Sequence, residues 1–224
     1  MAEPEFDRFA YDYERILESS LADAGADGER FAEYKIGEMS LQLRDHAPRR
    51  ILDFGCGVGR SLNHLARYFP EAALAGYDPS GASLDEAQSR TPAASLFSEP
   101  SALPLESFDL VLAANVMHHI PSEERSAATA LCAKLLAPGG SLFVFEHNPY
   151  NPLTRRVFER CPFDRDASML YRREVIALGK AAGLRLTRAA YTLFVPLCNV
   201  SWLRAQRLLA WLPAGAQYYV QFEK

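Results

Sequence analysis

The chain has 224 residues, of which 49% are hydrophobic and 23% are charged, and its formal net charge is -4. This length fits one domain that can bury a substantial core without disulfides or metals. The composition is ordinary for a soluble globular protein. Because nucleic-acid binding requires clustered Lys and Arg, the acidic balance argues against a nucleic-acid partner.

The cysteines show no spacing typical of a metal site. Cys56, Cys132, Cys161 and Cys198 are scattered, without a CxxC pair or a histidine at ligand spacing. We therefore expect reduced thiols, and neither a disulfide framework nor a bound metal. The acidic N-terminus lacks an apolar signal segment, and no run reaches the roughly 18 apolar residues of a membrane-spanning helix. A cytoplasmic location is expected.

Helices and strands alternate over the first two thirds of the chain. Residues 5–45 read as helical, with breakers around 25–28. Strands are predicted at 51–54, 73–77, 94–97, 108–114 and 141–146, and helices at 61–69, 83–89 and 122–136, with Ser122 as a helix cap and a turn at Pro138-Gly139-Gly140. The run 108–114 is apolar throughout, as in a strand buried on both faces of a parallel sheet. This alternation predicts a doubly wound α/β fold.

The last third of the chain follows a different pattern. Residues 148–169 are predicted to be irregular and polar. They are followed by a predicted helix at 174–182 that Gly183 closes, a strand at 184–195, a helix at 201–212 and a strand at 217–223. Because no internal repeat or linker-like segment is present, we expect one domain over residues 1–224.

A glycine-rich loop follows the first strand. Its candidate ligand-binding residues are Asp53, Gly55, Cys56, Gly57 and Gly59. Glycine permits a sharp turn and a close approach of the backbone to a ligand, and the following helix N-terminus offers unpaired N–H groups. The dinucleotide fingerprint requires a glycine at position 60, where Arg60 stands. The spacing D-x-G-x-G-x-G predicts either a different ligand site or a simple strand-to-helix turn.

An acidic residue ends the second predicted strand. Asp78 stands at the carboxyl end of that strand, beside the glycine loop. A carboxylate in this place can accept hydrogen bonds from both hydroxyls of a ribose. The alternative is that Asp78-Pro79-Ser80 forms only a turn and a helix cap.

Four segments in order resemble the class I S-adenosylmethionine-dependent methyltransferase family. They are ILDFGCGVGR at 51–60, GYDPS at 76–80, LPLESFDLVLAANVMHHI at 103–120 and LLAPGGSLFVFE at 135–146. The resemblance implies a Rossmann-like, mostly parallel seven-stranded sheet with an antiparallel C-terminal hairpin. It also implies an N-terminal helical lid (1–48), a cofactor-binding core (49–147) and a substrate-side region (148–224).

The resemblance implies how S-adenosylmethionine would be held. Residues of the loop, among them Asp53, Gly55 and Gly57, would surround its methionine part, and Asp78 would hold its ribose. The full set of implied cofactor-binding residues is Asp53, Gly55, Cys56, Gly57, Gly59, Asp78, Pro79, Ser80, Glu99 and Asn115.

Four members of that set lie outside the glycine loop and the ribose position. Pro79 and Ser80 would flank the adenine, and Asn115 would face the cofactor from the end of the fourth strand. Glu99 stands where many family members have an Asp that contacts the adenine amino group. A Glu can make the same contact with its longer side chain.

Methyl transfer uses the reactivity of the cofactor, so the protein mainly aligns the reactants and removes a proton from a hydroxyl acceptor. Candidate bases lie at the carboxyl ends of strands, where sites in open sheets are found. His147 follows the fifth strand, and His118 and His119 follow the fourth. We name His147 and His119 as candidate catalytic residues, because a histidine can take up a proton near neutral pH. The alternative for each is a structural role in packing or capping.

The acceptor pocket is expected outside these motifs. Candidate acceptor-binding residues are Tyr11, Tyr13, Tyr34 and Arg155, and Lys35 is a further possibility. Tyr11 and Tyr13 belong to the N-terminal helical region, and Arg155 lies in a connection long enough to be functional. The acceptor is expected to be a small molecule methylated most often at oxygen, with nitrogen and carbon left open.

Three other functions remain open from the sequence. A cofactor-binding partner without turnover would keep the same loop, whereas Arg60 disfavours a nicotinamide-dependent oxidoreductase. The apolar segment 193–213, with Trp202 and Trp211, is either a helix buried beside the sheet or a face that contacts a membrane or a lipid-linked acceptor.

Overall fold

A computed structural model describes residue 7 and residues 10–22, 28–194 and 207–224. The described strands are Arg50–Phe54 (β1), Ala73–Tyr77 (β2), Ser95–Phe97 (β3), Phe108–Ala114 (β4), Leu136–His147 (β5), Arg185–Thr192 (β6) and Gln217–Glu223 (β7). The described α-helices are Tyr13–Ala22 (α1), Gly28–Gln42 (α2), Arg60–Tyr68 (α3), Gly81–Arg90 (α4), Arg125–Leu135 (α5), Pro152–Arg160 (α6) and Arg172–Ala181 (α7). Short 3-10 turns cover Ala10–Asp12, Pro100–Ala102, Pro162–Asp164 and Arg207–Leu209.

The strands form one sheet in the order β3-β2-β1-β4-β5-β7-β6. Neighbouring strands are parallel from β3 to β5, whereas β7 runs antiparallel to both β5 and β6. The predicted mostly parallel sheet with an antiparallel C-terminal hairpin is therefore confirmed. The strand order reverses between β1 and β4, and the crevice at the carboxyl ends of these two strands is where open α/β sheets bind ligands.

Alternate residues of the central strands face two apolar layers. In β1, Leu52 packs in one layer and Ile51 in the other. The layer with Leu52 includes Val175 of α7, and the layer with Ile51 includes Ile36 of α2 and Leu62 of α3. This two-sided burial explains why the central strands read as continuous apolar runs.

Two predicted boundaries differ from the structure, one through backbone pairing in the sheet and one through a side-chain contact of the predicted helix cap. The Pro138-Gly139-Gly140 segment, predicted as a turn, lies inside β5, where the N–H of Gly139 and the carbonyl of Gly140 pair with Lys224. Helix α5 begins at Arg125 rather than at Ser122, whose hydroxyl instead contacts the carboxylate of Glu123.

The 148–169 segment, predicted as irregular, contains helix α6. Asn151 caps this helix, since its side-chain oxygen accepts the N–H groups of Leu153 and Thr154. Pro152 occupies the first helical position, where its missing N–H carries no penalty. The Asn-Pro pair was therefore a helix-start signal in the sequence.

The apolar segment 193–213 is described only in part. Its residues 195–206, including Trp202 and Cys198, lie outside the described residues. The described part of the predicted 201–212 helix is the 3-10 turn at Arg207–Leu209, followed by turns. No helix among the described residues has the length and apolar character needed to cross a membrane.

Candidate functional site

The glycine loop takes a backbone conformation that side chains disfavour. Gly55, Gly57 and Gly59 have φ angles of 76°, 50° and 80°. A Cβ on Gly55 would lie 2.5 Å from Val116, and one on Gly59 would lie 2.9 Å from Ala87. A Cβ on Gly57 would meet no atom within 4 Å among the described residues. Gly55 and Gly59 are thus fixed by packing within the protein, while Gly57 leaves open space that a ligand can use.

Asp78 links the glycine loop to the end of β2. Its Oδ2 accepts the backbone N–H of Gly57 over 2.9 Å, and its Oδ1 accepts that of Ser80 over 2.9 Å. Burial raises the pKa of Asp78, while the N–H groups of Ser80 and Gly57 act in the opposite direction. The Ser80 hydroxyl also caps α4 by accepting the N–H of Ser83. The segment 78–80 is therefore a turn and a cap as well as part of a cavity wall.

Asp53, at the end of β1, carries a buried carboxylate oxygen that lacks a partner. The residue is 2% exposed, and its Oδ2 makes no hydrogen bond to the described protein atoms. Burial, with a smaller contribution from the charge of Asp78, raises the pKa of Asp53 to about 7. Such an oxygen is unfavourable unless a donor or a cation reaches it. Together with the open space at Gly57, this unpaired acceptor fits a bound molecule that carries N–H or cationic groups.

A cavity of about 1090 Å³ extends from the glycine loop across the end of the sheet. The expected cofactor residues in its wall are Gly55, Cys56, Gly57, Asp78, Pro79, Ser80 and Asn115. Gly59 instead forms the N-terminal cap of α3 against Ala87, and Glu99 is exposed beside the wall residue Pro100. The cavity continues past Asn115 to His118, His119 and His147.

A chain of polar contacts crosses the middle of the cavity wall. The Lys35 amine of α2 donates to Oδ1 of Asn115, and Nδ2 of Asn115 lies 2.8 Å from Nε2 of His147. Gln217 also donates to Asn115, over 3.4 Å. Asn115 has a φ of 60°, which Asn tolerates better than most residues, and this conformation places its side chain between the other groups. Burial lowers the pKa of Lys35 to about 8.

A second cluster contains two buried carboxylates and neighbouring histidines. Nδ1 of His118 lies 2.6 Å from Oε2 of Glu146, and its Nε2 lies 3.3 Å from Oδ1 of Asp164. Nε2 of His119 lies 3.5 Å from the same Asp164 oxygen. Burial alone would lower the pKa of His118, but the carboxylates of Glu146 and Asp164 outweigh it and raise the pKa to about 9. Burial and the neighbouring His118 lower the pKa of His119 to about 3 and that of His147 to about 4.

Sequence reasoning missed Glu146 and Asp164 as parts of this site, whereas Lys35, a further possibility for the acceptor pocket, does line the cavity. Glu146 precedes His147 at the end of β5, and Asp164 lies in the 3-10 turn after α6. Position at the carboxyl end of a strand was a signal for Glu146. Lys35 and Asp164 come from segments whose approach to the sheet is not visible in the chain order.

The four expected acceptor-binding residues lie in different surroundings. Tyr13 lines the cavity and stacks on Phe163, with ring centroids 4.8 Å apart. Tyr11 is 81% exposed, and Arg155 is exposed with its guanidinium 3.8 Å from Glu159. Tyr34 is buried, and its hydroxyl lies 2.6 Å from Oγ1 of Thr192 beside a separate cavity of about 30 Å³.

Comparisons with known proteins agree with this geometry. A family model described as a methyltransferase domain matches residues 52–142. Trans-aconitate 2-methyltransferase of Methylobacterium nodulans is 36% identical over 129 residues, which are 52% of this chain and 47% of that protein. Malonyl-[acyl-carrier protein] O-methyltransferase of Legionella pneumophila is 34% identical over 119 residues, 50% of this chain and 38% of that protein. The match thus spans half or less of these relatives.

Solved structures resemble almost the whole chain. An S-adenosylmethionine-dependent methyltransferase of Thermotoga maritima has a TM-score of 0.66 and 21% identity, covering 98% of this chain and 97% of that one. The N-methyltransferase NodS of Bradyrhizobium japonicum, solved with S-adenosyl-L-homocysteine, has a TM-score of 0.61 and 18% identity, covering 93% and 98%. At identities of 21% and 18%, the similarity to these structures shows a shared fold.

The sheet order and the glycine loop at the end of β1 define a Rossmann-like methyltransferase fold. Residues 52–142 match the methyltransferase domain, and solved S-adenosylmethionine-dependent methyltransferases share the fold of nearly the whole chain.

Proposed function

We propose that the protein transfers the methyl group of S-adenosylmethionine to a hydroxyl oxygen of a small-molecule acceptor. The observation that carries this proposal is the continuity of one cavity. The same space touches the glycine loop, Asp78 and Asn115 on one side, and Lys35 and His119 on the other. One molecule at the loop and a second at the polar groups would therefore meet inside a single continuous cavity.

In the cofactor half, the chain offers acceptors and open space where S-adenosylmethionine needs them. Asp78 presents a carboxylate at the cavity wall for the ribose hydroxyls, whereas Asp53, with its unpaired buried oxygen, lies behind the wall residues Phe54 and Gly55. Gly57 allows the ligand to approach the backbone because no side chain projects there. When bound, the cofactor supplies an electrophilic methyl group, and the protein supplies alignment.

In the acceptor half, we assign proton removal to Lys35. An amine with a pKa of about 8 is partly unprotonated near neutral pH, so its lone pair can take the proton of a hydroxyl as the new O–C bond forms. Asn115 holds the amine by accepting one of its N–H bonds, which leaves the nitrogen lone pair available. The amine is buried at the cavity wall, so water competes little for this proton.

The two histidines that the sequence proposed as bases have separate roles in this arrangement. Nε2 of His147 lies against the amide of Asn115, so His147 fixes the side chain that positions Lys35. His119 lines the cavity with Asp164 beside its Nε2, which suits a polar contact to the acceptor. Tyr13 extends the same wall from α1.

Oxygen is favoured as the target by the names of several relatives. The Legionella pneumophila relative is a malonyl-[acyl-carrier protein] O-methyltransferase, whose name points to a carboxyl oxygen, and a relative from Rhizobium etli is a ubiquinone biosynthesis O-methyltransferase. Buried, partly neutral Lys35 adds a chemical reason, since a hydroxyl needs help to lose its proton while a neutral amine acceptor can attack without it.

Calorimetric titration and an acceptor screen test the proposal. S-adenosylhomocysteine is expected to bind with micromolar affinity while NAD gives no heat, and release of S-adenosylhomocysteine is expected with hydroxyl acceptors. Tight NAD binding would disprove the cofactor assignment. Cofactor binding combined with transfer only to amines would disprove the hydroxyl assignment, and cofactor binding without transfer to hydroxyl, carboxyl, amine or lipid-linked acceptors would indicate a noncatalytic binding protein.

A further inference from the structure

Three potential metal ligands from distant parts of the chain meet in the cavity wall. His118 follows β4, His147 ends β5, and Asp164 lies in the 3-10 turn after α6. One ligating atom from each of the three lies within 4.8 Å of the others. The closest measured pair, Nε2 of His118 and Oδ1 of Asp164, is separated by 3.3 Å.

That spacing is close to what two ligands of one ion adopt. Two ligands each about 2.1 Å from an ion, at a tetrahedral angle, lie about 3.4 Å apart. His118 and Asp164 already satisfy this relation. The widest separation in the trio, at most 4.8 Å, would contract by up to about 1.4 Å, a movement within the range of a side-chain rotation. For His147, binding of the ion through Nδ1 would keep the contact between Nε2 and Asn115, and binding through Nε2 would replace it.

Glu146 supplies the outer contact that metal-binding histidines require. A histidine ligand usually donates its second ring N–H to a carboxylate, which fixes its orientation. Oε2 of Glu146 lies 2.6 Å from Nδ1 of His118, so Nε2 is turned toward Asp164. The backbone N–H groups of His118 and His147 also donate to the Glu146 carboxylate, each over 3.3 Å. One buried acid therefore orients two of the three ligands.

The charge of the cluster favours a divalent cation. The side chains of Glu146 and Asp164 are 1% and 9% exposed, so two carboxylates lie together in a poorly hydrated place. Buried charges are unfavourable without compensation. In the ion-free protein His118 pairs with both carboxylates, and a divalent ion between the imidazoles would replace this pairing and balance both charges. A donor set of two imidazoles and one carboxylate suits zinc, iron, cobalt or manganese better than calcium.

We infer that His118, His147 and Asp164 bind one divalent first-row transition-metal ion, with Glu146 as the outer partner of His118. All three ligands line the cavity, so the ion has an open coordination position toward the space assigned to the acceptor. His119, whose Nε2 lies 3.5 Å from Asp164, is beside that position. The statement that the ion faces an acceptor rests on the proposed function, whereas the site itself rests only on these side chains.

Titration of the full, untagged, chelator-treated chain with Co²⁺ tests the inference, because Co²⁺ held by histidines absorbs visible light. One Co²⁺ per chain with micromolar or tighter affinity is expected. His118→Gln and Asp164→Asn should each weaken binding by more than about 100-fold, and Glu146→Gln by about 10–100-fold. His46→Gln, which changes an exposed histidine, is the matched control and should leave the affinity unchanged.

Equal Co²⁺ affinity in the unmodified chain and in both ligand variants would overturn the inference, as would an affinity weaker than millimolar. Circular dichroism shows whether each variant is folded. If the variants do not fold, anomalous diffraction from a Co²⁺-soaked crystal of the unmodified chain decides: a peak between His118 and Asp164 supports the site, and its absence rejects it. Neither cofactor nor acceptor is present in these measurements, so their result does not depend on the result of the methyl-transfer assays.

Discussion

The carboxylate of Asp78, at the end of β2, accepts the backbone N–H of Gly57 over 2.9 Å. This hydrogen bond fixes the glycine loop of β1 against the neighbouring strand. It also holds the carboxylate at the cavity wall, where its remaining lone pairs face the space assigned to the ribose. Asp78 is therefore both a support of the loop and a candidate ligand contact.

Replacing Asp78 with Asn is expected to weaken S-adenosylhomocysteine binding by about 1–3 kcal/mol, because hydrogen bonds to a charged acceptor are lost. Calorimetry measures the change. Asp109→Asn is the matched control, since Asp109 also accepts two backbone N–H groups, those of Arg49 and Arg50, but lies at the amino end of β4, away from the cavity. Equal losses in the two variants would mean that Asp78 acts only on the loop backbone.

Gly57→Ala is expected to abolish measurable cofactor binding while leaving a folded protein. The φ of 50° disfavours Ala by roughly 1 kcal/mol, but the new methyl group meets open space and would fill the ligand's position. Gly139→Ala is the control, because Gly139 also has a positive φ, 78°, and open space around its Cβ. Thermal unfolding and calorimetry should show similar stability losses in both variants and lost binding in Gly57→Ala alone. Retained binding in Gly57→Ala would show that the ligand does not approach this backbone.

Asp53→Asn is expected to stabilise the ligand-free protein by about 1–3 kcal/mol above pH 7, because an unpaired buried acid is replaced by a neutral amide. Folding raises the pKa of Asp53 from 3.8 to about 7, so between these values the folded chain keeps a proton that the unfolded chain has lost. The free energy of unfolding of the unmodified protein therefore falls as the pH rises from 3.8 to about 7. The variant cannot ionise at this position, so it lacks the contribution of Asp53 to this fall. Denaturant unfolding at pH 4 to 8 measures the difference.

The same Asp53→Asn variant should bind S-adenosylhomocysteine more weakly. A gain in stability together with a loss in affinity would mark Asp53 as an acid that is kept for the ligand. A variant that is less stable at every pH would show that Asp53 serves the fold.

Lys35→Met is expected to lower methyl transfer to a hydroxyl acceptor by about 10²–10⁴-fold, since a general base is lost. Only the unprotonated amine can act, so turnover of the unmodified enzyme should rise with pH and level off above about 8, the pKa of Lys35. Lys35→Arg should be as slow as Lys35→Met, because a guanidinium does not lose its proton in this range. Steady-state rates at saturating cofactor provide the measurement. A pH profile that is unchanged in Lys35→Met would exclude the assignment.

Most of the sheet could be predicted from the sequence because apolar runs and turn residues are local signals. The predicted bounds of β2, β4 and β7 agree with the structure. Helix α6 was missed because its Asn151-Pro152 start was interpreted as loop composition. The extension of β5 through Gly139 was missed because it depends on pairing with Lys224, at the far end of the chain.

The sequence by itself predicted the methyltransferase fold and the position of the glycine loop. These features are contiguous: the strand, the glycines and the next helix follow one another, so their chemistry can be read along the chain. The positions of His118 and His147 at the carboxyl ends of β4 and β5 were also predictable from the sequence.

Only the tertiary structure decided which side chains meet there. Lys35 reaches Asn115 across 80 positions of the chain, and Asp164 reaches His118 because α6 returns over the end of the sheet. Their altered pKa values follow from burial and from charged neighbours that are distant in sequence. Contacts of this kind arise when helices pack on the sheet, and no local spacing in the chain specifies them.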